Sequence, residues 1–424
     1  MNLAILGTDS AVLVFIEAAI SLGHQVVWLG DVRAEDAVAV RRLCPTLTGE
    51  SNWEIVLDHA LADAVIVGQG TQHESERCER LKRLVADGIS TVVAFPFSTS
   101  VLPYYELDMV RREMGGILLA LGAWTQAPPL KQLADLIRDG HADVGQVRSL
   151  SWVRQLATSD REAVLGSLAV DVEALLDLVG NITKVSAFGP VHDSDDLAGL
   201  SVQLQGPAKI PVHWSAARDS GETAATLTLI GDKGQLEVAI PHFAKADSKA
   251  NLDPWILENV SDRGVPVKRL ASHDGPLQTC ARLDQAVHAR ATGQTSTTGK
   301  TPTTGEVDWD SAVKTMEIVD AVQMSLQRGR TVAVHHQQLT EQLAFRGMMS
   351  IFGCGLLLLG FLILLAAGVV GDTLYPPLFF WWPGGLAILL ILFLLLQLVP
   401  HLRGGSTSQQ AESDGEKTGG DGDS

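Results

Sequence analysis

The first residues able to do chemistry stand at the start of the chain, in Leu3-Ala4-Ile5-Leu6-Gly7-Thr8-Asp9-Ser10. An apolar run, a glycine turn and then apolar residues at helical spacing from Ala11 to Leu22 predict a strand, a turn and a helix. A helix N-terminus entered in this way attracts phosphate, and the dinucleotide version follows the pattern G-x-G-x-x-G. Here those glycine positions are Gly7, Asp9 and Val12. Gly7 and Thr8 are the candidate cofactor contacts. Asp9 puts a carboxylate where a phosphate would sit, and it or Ser10 can cap the helix from within. A second anion there meets a repulsion of about 1–4 kcal/mol at ~4 Å. Asp31 closes the next apolar run, Val26–Leu29. An acid at that place holds ribose hydroxyls or serves only the turn.

Other reactive side chains are scattered. His73, Tyr104, Tyr105 and Lys131 are the nearest candidates for proton transfer, with His73 also readable as a helix start and Lys131 as a solvated face residue. Nothing forms a nucleophilic triad or a metal-spaced cluster. Cys44, Cys78, Cys280 and Cys354 lie far apart without a CxxC pair, which fits a reducing compartment. The run GQTSTTGKT (293–301) imitates a phosphate loop, but Gln294 stands at its first glycine position and Pro302 follows at once. It reads as a polar loop.

The elements that must position these groups alternate in type. Leu3–Leu6, Val26–Leu29, Ala64–Val67, Thr91–Ala94 and Ile117–Leu121 read as short apolar strands, with helices near 74–87 and 102–113 between the later ones. Fully apolar strands alternating with helices predict a parallel, doubly wound α/β sheet. Runs near 146–155, 183–188, 199–205, 209–214, 224–230 and 235–240 predict an α+β second domain with an open, mostly antiparallel sheet. Trp309, Val313, Met316, Val319 and Leu326 form one helical stripe that Gly329 ends.

Beyond Arg346 the composition changes. Residues 347–371 and 373–400 contain no charged side chain. Each run exceeds the ~20 residues needed to cross a bilayer, so two transmembrane helices are expected, at 347–371 and 378–400. Arg328, Arg330 and Arg346 precede them, Arg403 follows, and only Asp372 lies between. This bias predicts that the body and the tail 401–424 are cytoplasmic. The tail is rich in glycine, serine and acids, and is expected to be disordered. The net charge is −17, of which residues 1–346 carry −13, so the body repels nucleic acid.

Over residues 1–335 the chain resembles the Gfo/Idh/MocA oxidoreductase family. The segments that carry the resemblance are ADAVIVGQGTQH (62–73), GISTVVAFPFS (88–98), LKQLADLIRDGHADVGQVRSLSW (130–152), LGSLAVDVEALLDLVGNITKVSAFG (165–189), LTLIGDKGQLEV (227–238) and WDSAVKTMEIVDAVQMSLQRGRTVAV (309–334). Their order along the chain matches that of the family. The resemblance implies a Rossmann-like domain over 1–123, a second domain over 124–335 and a linker over 336–346. It also implies NAD or NADP as cofactor and a homo-oligomer formed through the second sheet.

The resemblance further implies a lysine in an E-K-P motif and a histidine in H-x-x-D as proton-transfer groups. Those positions here are Phe95 and Val170, and neither side chain can move a proton. Glu173 keeps a carboxylate at the acid position and is the one weak catalytic candidate. A shift of one residue would put Asp171 at the histidine position. The chain is therefore expected to be a catalytically degenerate, membrane-anchored member acting as a nucleotide-, sugar- or protein-binding module. An active sugar or polyol oxidoreductase with non-standard groups and an oligomerisation scaffold are the alternatives.

Overall fold

The computed structural model describes residues 1–334, apart from 46, 48–51, 123–126, 191–194, 208–209, 219–223, 241–254, 261–265, 271–274 and 292–303. Five parallel strands, β1 (Asn2–Leu6), β2 (Gln25–Gly30), β3 (Ala64–Val67), β4 (Thr91–Ala94) and β5 (Leu118–Leu121), form the first sheet in the order β2-β1-β3-β4-β5. Helices α1 (Ser10–Ser21), α2 (Ala37–Leu43), α3 (Glu74–Ala86) and α4 (Leu102–Met114) connect them. Every residue of β3, β4 and β5 is buried, which explains their unbroken apolar runs: helices cover both faces. The periodicity between residues 32 and 62 is too weak to announce α2 or the single 3-10 turn at Trp53–Leu57.

The second sheet is built from β6 (Val147–Leu156), β7 (Lys184–Phe188), β8 (Ser201–Gln205), β9 (Val212–Arg218), β10 (Ala225–Gly231), β11 (Gln235–Ile240), β12 (Ile256–Asn259), β13 (Pro266–Arg269) and β14 (Val332–Ala333). Their order is β13-β12-β11-β10-β6-β9-β8-β7-β14. Only β6 and β9 pair in parallel, so the sheet is mixed. Leu150, Trp152, Leu227, Leu229, Val212 and Trp214 alternate onto a buried face. That face meets α5 (Pro128–Asp139), α6 (Arg161–Val179) and α8 (Thr304–Arg328). On the other face Ser149, Ser151, Thr226, Thr228 and Ser215 are half-buried and His213 and Gln203 exposed, with Val153 and Ile230 half-buried among them and Phe188 exposed, so it is mostly polar.

One buried ionic group ties this layer together. Asp171 on α6 is fully buried and accepts from both Nε (2.9 Å) and Nη2 of Arg154 on β6. It also accepts from Nε1 of Trp214 on β9 at 2.8 Å. A charge taken out of water this completely persists only when paired and hydrogen-bonded, and here both carboxylate oxygens are engaged.

Helix α8 joins the two sheets. It packs against β5 and α4 on one side and against α6 and β7 on the other, while α7 (Gly275–Ala291) returns to pack on α1. Between α4 and α8 the Tyr105 hydroxyl donates to Glu317 Oε1 at 2.6 Å. Burial first, then the bond and charge of Glu317, push the Tyr105 phenol above its ordinary value of 10.0. Burial pushes Tyr104 up as well. The folded protein therefore keeps protons that an unfolded chain releases above about pH 10, and folding stability is full below that pH and declines above it. Thermal melting of Tyr105→Phe between about pH 9 and 11.5 is expected to show a shallower decline than the parent chain. Equal slopes would mean that Tyr105 contributes nothing to the linkage.

Among the described residues no helix is long and apolar enough to cross a membrane. The expected spans at 347–371 and 378–400, the linker and the tail lie outside the described residues, as does the decoy loop 293–301.

Candidate functional site

At the C-terminal end of the first sheet, the turn after β1 meets the turn after β3. Gly7 has φ +85°, and a Cβ added to it would stand 2.9 Å from the Gly68 carbonyl oxygen. Only glycine permits this backbone-to-backbone approach. Thr8 and Asp9 follow. Asp9 is buried and N-caps α1: Oδ1 accepts from the Val12 N–H at 3.0 Å and Oδ2 from the Gln69 N–H at 2.8 Å. The carboxylate thus takes up donors in the place where a bound phosphate would find them.

The remaining polar groups of this crevice are also engaged by the chain itself. The Thr8 hydroxyl accepts from the Arg33 N–H at 3.0 Å. Asp31 adopts a left-handed backbone, φ +56°, which aspartate tolerates better than bulkier residues. Its Oδ1 accepts from the N–H of Thr71 at 3.0 Å and from that residue's hydroxyl. Arg33, two residues beyond Asp31, pairs with Asp36 and Glu35, each at 2.8 Å. Burial opposes its charge, yet the bond to Asp36 and the nearby carboxylates hold its pKa above the ordinary value.

Arg77 on α3 links the rims. Its Nη1 donates to the Gln69 carbonyl at 2.9 Å and its Nη2 to the Phe97 carbonyl at 2.7 Å, joining the turn after β3 to the segment after β4. Arg33, Gln69, Thr71 and Arg77 were not among the candidates that sequence spacing singles out. The signal for Arg33 was present, since arginine shortly after the second strand accommodates a 2′-phosphate in some dinucleotide folds.

Phe95, at the motif lysine's position, is buried and meets Tyr104 edge-on, with ring centroids 6.0 Å apart. Tyr104 is a core residue. Its hydroxyl accepts from the Phe97 N–H at 3.1 Å and lies 3.3 Å from the Ser98 carbonyl, to which it donates. Phe97 and Trp309 stack beside it. Tyr105 serves Glu317 as described. His73 stands exposed before α3 with no capping bond from its ring, and Lys131 is exposed on α5. The four proton-transfer candidates thus occupy separate structural roles.

Val170 is half-buried on α6. Glu173, one turn further on, lies against Gly122 just past β5, where an added methyl group would collide with its carboxylate. Asp171 points the other way, into the Arg154–Trp214 network. It is a structural residue. Among the described residues no group of histidine, cysteine and acidic side chains could hold a metal ion.

A dinucleotide in the usual register does not fit the residues present. Asp9 puts its own carboxylate on the Val12 and Gln69 amides, Asp31 is committed to Thr71, and a buried phenyl ring stands in for the lysine. A separate open groove of about 520 Å³ runs past Trp53, Glu76, Glu79, Arg80 and Arg83. Arg80 and Arg83 flank the Trp53 ring at 5.3 and 5.6 Å, and each is paired with a glutamate. It therefore presents no uncompensated charge to a ligand.

No family model matches the sequence, and no curated protein matches it. Solved structures do match. A mutant of KijD10, a 3-ketoreductase from Actinomadura kijaniata in complex with TDP-benzene and NADP, is 19% identical with a TM-score of 0.60, over 77% of this chain and 97% of that one. The aldose-aldose oxidoreductase from Caulobacter crescentus complexed with glycerol is 18% identical with a TM-score of 0.57, over 78% and 99% of the two chains. An oxidoreductase from Agrobacterium radiobacter in complex with NAD+, L-tartaric acid and magnesium is 11% identical with a TM-score of 0.53, over 79% and 98%. At such identities the likeness is one of fold. The chain shares with these solved oxidoreductases the fold of a Rossmann-like parallel sheet followed by a mixed sheet backed by helices.

Proposed function

We propose that this chain is a membrane-anchored protein with an oxidoreductase fold that has given up dehydrogenase chemistry. Its body acts as a binding module at the cytoplasmic face, for a nucleotide, a sugar or a protein. The observation that carries this reading is the Asp9 carboxylate, held by the Val12 and Gln69 amides at the N-terminus of α1. Phe95 and Val170 support it, because general acid–base help worth ~10²–10⁴-fold is absent from both motif positions. Anchoring rests on the two charge-free runs and on the arginines that flank them.

The test is a titration of the detergent-purified full chain with NADPH and with NADH, followed by tryptophan quenching. The expected result is no saturable quenching below about 1 mM, an affinity of roughly −4 kcal/mol. Micromolar binding of either cofactor would overturn the reading. It would favour an active NAD(P)-dependent oxidoreductase, the alternative that draws on solved neighbours holding NADP or NAD+. Self-association through the second sheet is a further alternative, and size-exclusion of the detergent-purified full chain with light scattering checks it by distinguishing one copy from two or four.

A further inference from the structure

The body ends at a distinctive edge. Strand β14 is the last strand of the second sheet and pairs only with β7, through Val332 with Val185 and Ala333 with Lys184. Residues 335–346 lead from there to the first charge-free run and can span at most about 40 Å. The end of α8 and the turn that follows carry two exposed arginines, Arg328 and Arg330. Ser325 fastens that turn to β7: its hydroxyl donates to the Arg330 carbonyl at 2.8 Å and accepts from the Ala187 N–H at 2.9 Å. Phe188, which follows Ala187, is 61% exposed, among the most exposed large apolar side chains of the described residues.

A lone exposed phenylalanine means little. Here it coincides with an inversion of local charge. In a chain of net charge −17, residues 321–340 contain no acid and two arginines, and residues 178–192 contain no acid and one lysine. On β7 and the adjoining β8 the outward residues are Lys184, Ser186, Phe188, Ser201, Gln203 and Gln205. An exposed aromatic side chain that follows Ala187, to which Ser325 ties the Arg330 backbone, next to the point where the chain leaves toward apolar spans, has the chemistry of an interfacial contact. The ring enters the headgroup region and the guanidinium groups meet lipid phosphates.

We propose that the β7–β14 edge, through Phe188, Arg328 and Arg330, lies on the surface of an anionic bilayer and fixes which side of the body faces the membrane. This rests on the anchoring reading above. An acidic body would otherwise be repelled by an anionic leaflet, and a local basic edge sets a single favourable approach.

The test uses the full chain with Cys354→Ser, reconstituted in vesicles of phosphatidylcholine and phosphatidylglycerol. A polarity-sensitive thiol fluorophore is placed at Phe188→Cys or, as control, at Val38→Cys on α2, a site 79% exposed. The native Cys44, Cys78 and Cys280 are buried, and burial pushes the Cys280 thiol up to about 11, so they do not compete for label. Quenching by brominated lipid is expected at 188 and not at 38. Each of Arg328→Glu and Arg330→Glu is expected to weaken it about fivefold or more. Chain that stays with the vesicles while the label at 188 behaves like that at 38 overturns the proposal alone. Chain that leaves the vesicles in alkaline carbonate overturns the anchoring reading, and the proposal with it.

Discussion

Asp171→Ala is expected to lower the unfolding free energy of the body by about 3–5 kcal/mol, the usual cost of stranding one member of a buried ion pair. The substitution leaves the Arg154 guanidinium, with an 8% exposed side chain, without its anion. It also removes the acceptor of Trp214 Nε1. Three elements lose their common node: β6, β9 and α6. A body this size should melt roughly 4–7 °C lower, with the transition followed by tryptophan fluorescence. Asp171→Asn keeps an acceptor for the indole but loses the charge, and should fall between. A loss below about 1 kcal/mol for the alanine variant would show that the network carries little of the stability. Replacing Arg154 and Asp171 together by apolar residues should recover much of the loss, because the desolvation cost of both charges disappears with them.

Asp9→Gly is expected to raise the affinity for NAD(P)H about tenfold or more. The substitution restores the second fingerprint glycine and frees the Val12 and Gln69 amides. It also removes a carboxylate whose repulsion of a phosphate is about 1–4 kcal/mol at ~4 Å. Loss of the N-cap costs the helix only a few tenths of a kcal/mol when glycine replaces aspartate, so the variant should fold. Asp9→Asn separates the two contributions, since it keeps the cap and discards the charge. Neither variant is expected to turn over substrate, because Phe95 and Val170 remain. If Asp9→Gly binds no better than the parent chain, the obstruction lies elsewhere in the crevice, with Asp31 and Thr71 as the next groups to examine.

Much of the first sheet was legible in the sequence. Its strands are short apolar runs separated by helical stripes, and β1 to β5 appear where Leu3–Leu6, Val26–Leu29, Ala64–Val67, Thr91–Ala94 and Ile117–Leu121 stand. Strands buried on both faces must be apolar throughout, so local composition announces them. The second sheet was less legible. Its period-2 runs marked β6 to β11 approximately, with β9 starting at Val212 rather than near 209, and β12, β13 and α7 were not expected. These elements have weak patterns of their own and are held by neighbours distant in sequence.

What the sequence by itself determined is chemical content: one fingerprint glycine in place of three, no lysine at 95, no histidine at 170, and two long runs without charge. Residue identity and spacing suffice for those statements, because they concern which groups are available. Only the tertiary structure decided how the groups that remain are spent. Asp9 meets an amide 60 positions away, Asp31 one 40 positions away, and Asp171 an indole 43 positions away. A carboxylate finds whichever donors the fold brings within reach, and that depends on strand order and turn contact rather than on neighbours in the chain. The opening turn of the sequence thus specifies a strand, a turn and a helix start, and the folded crevice sets the chain's own acid there against the Val12 and Gln69 amides.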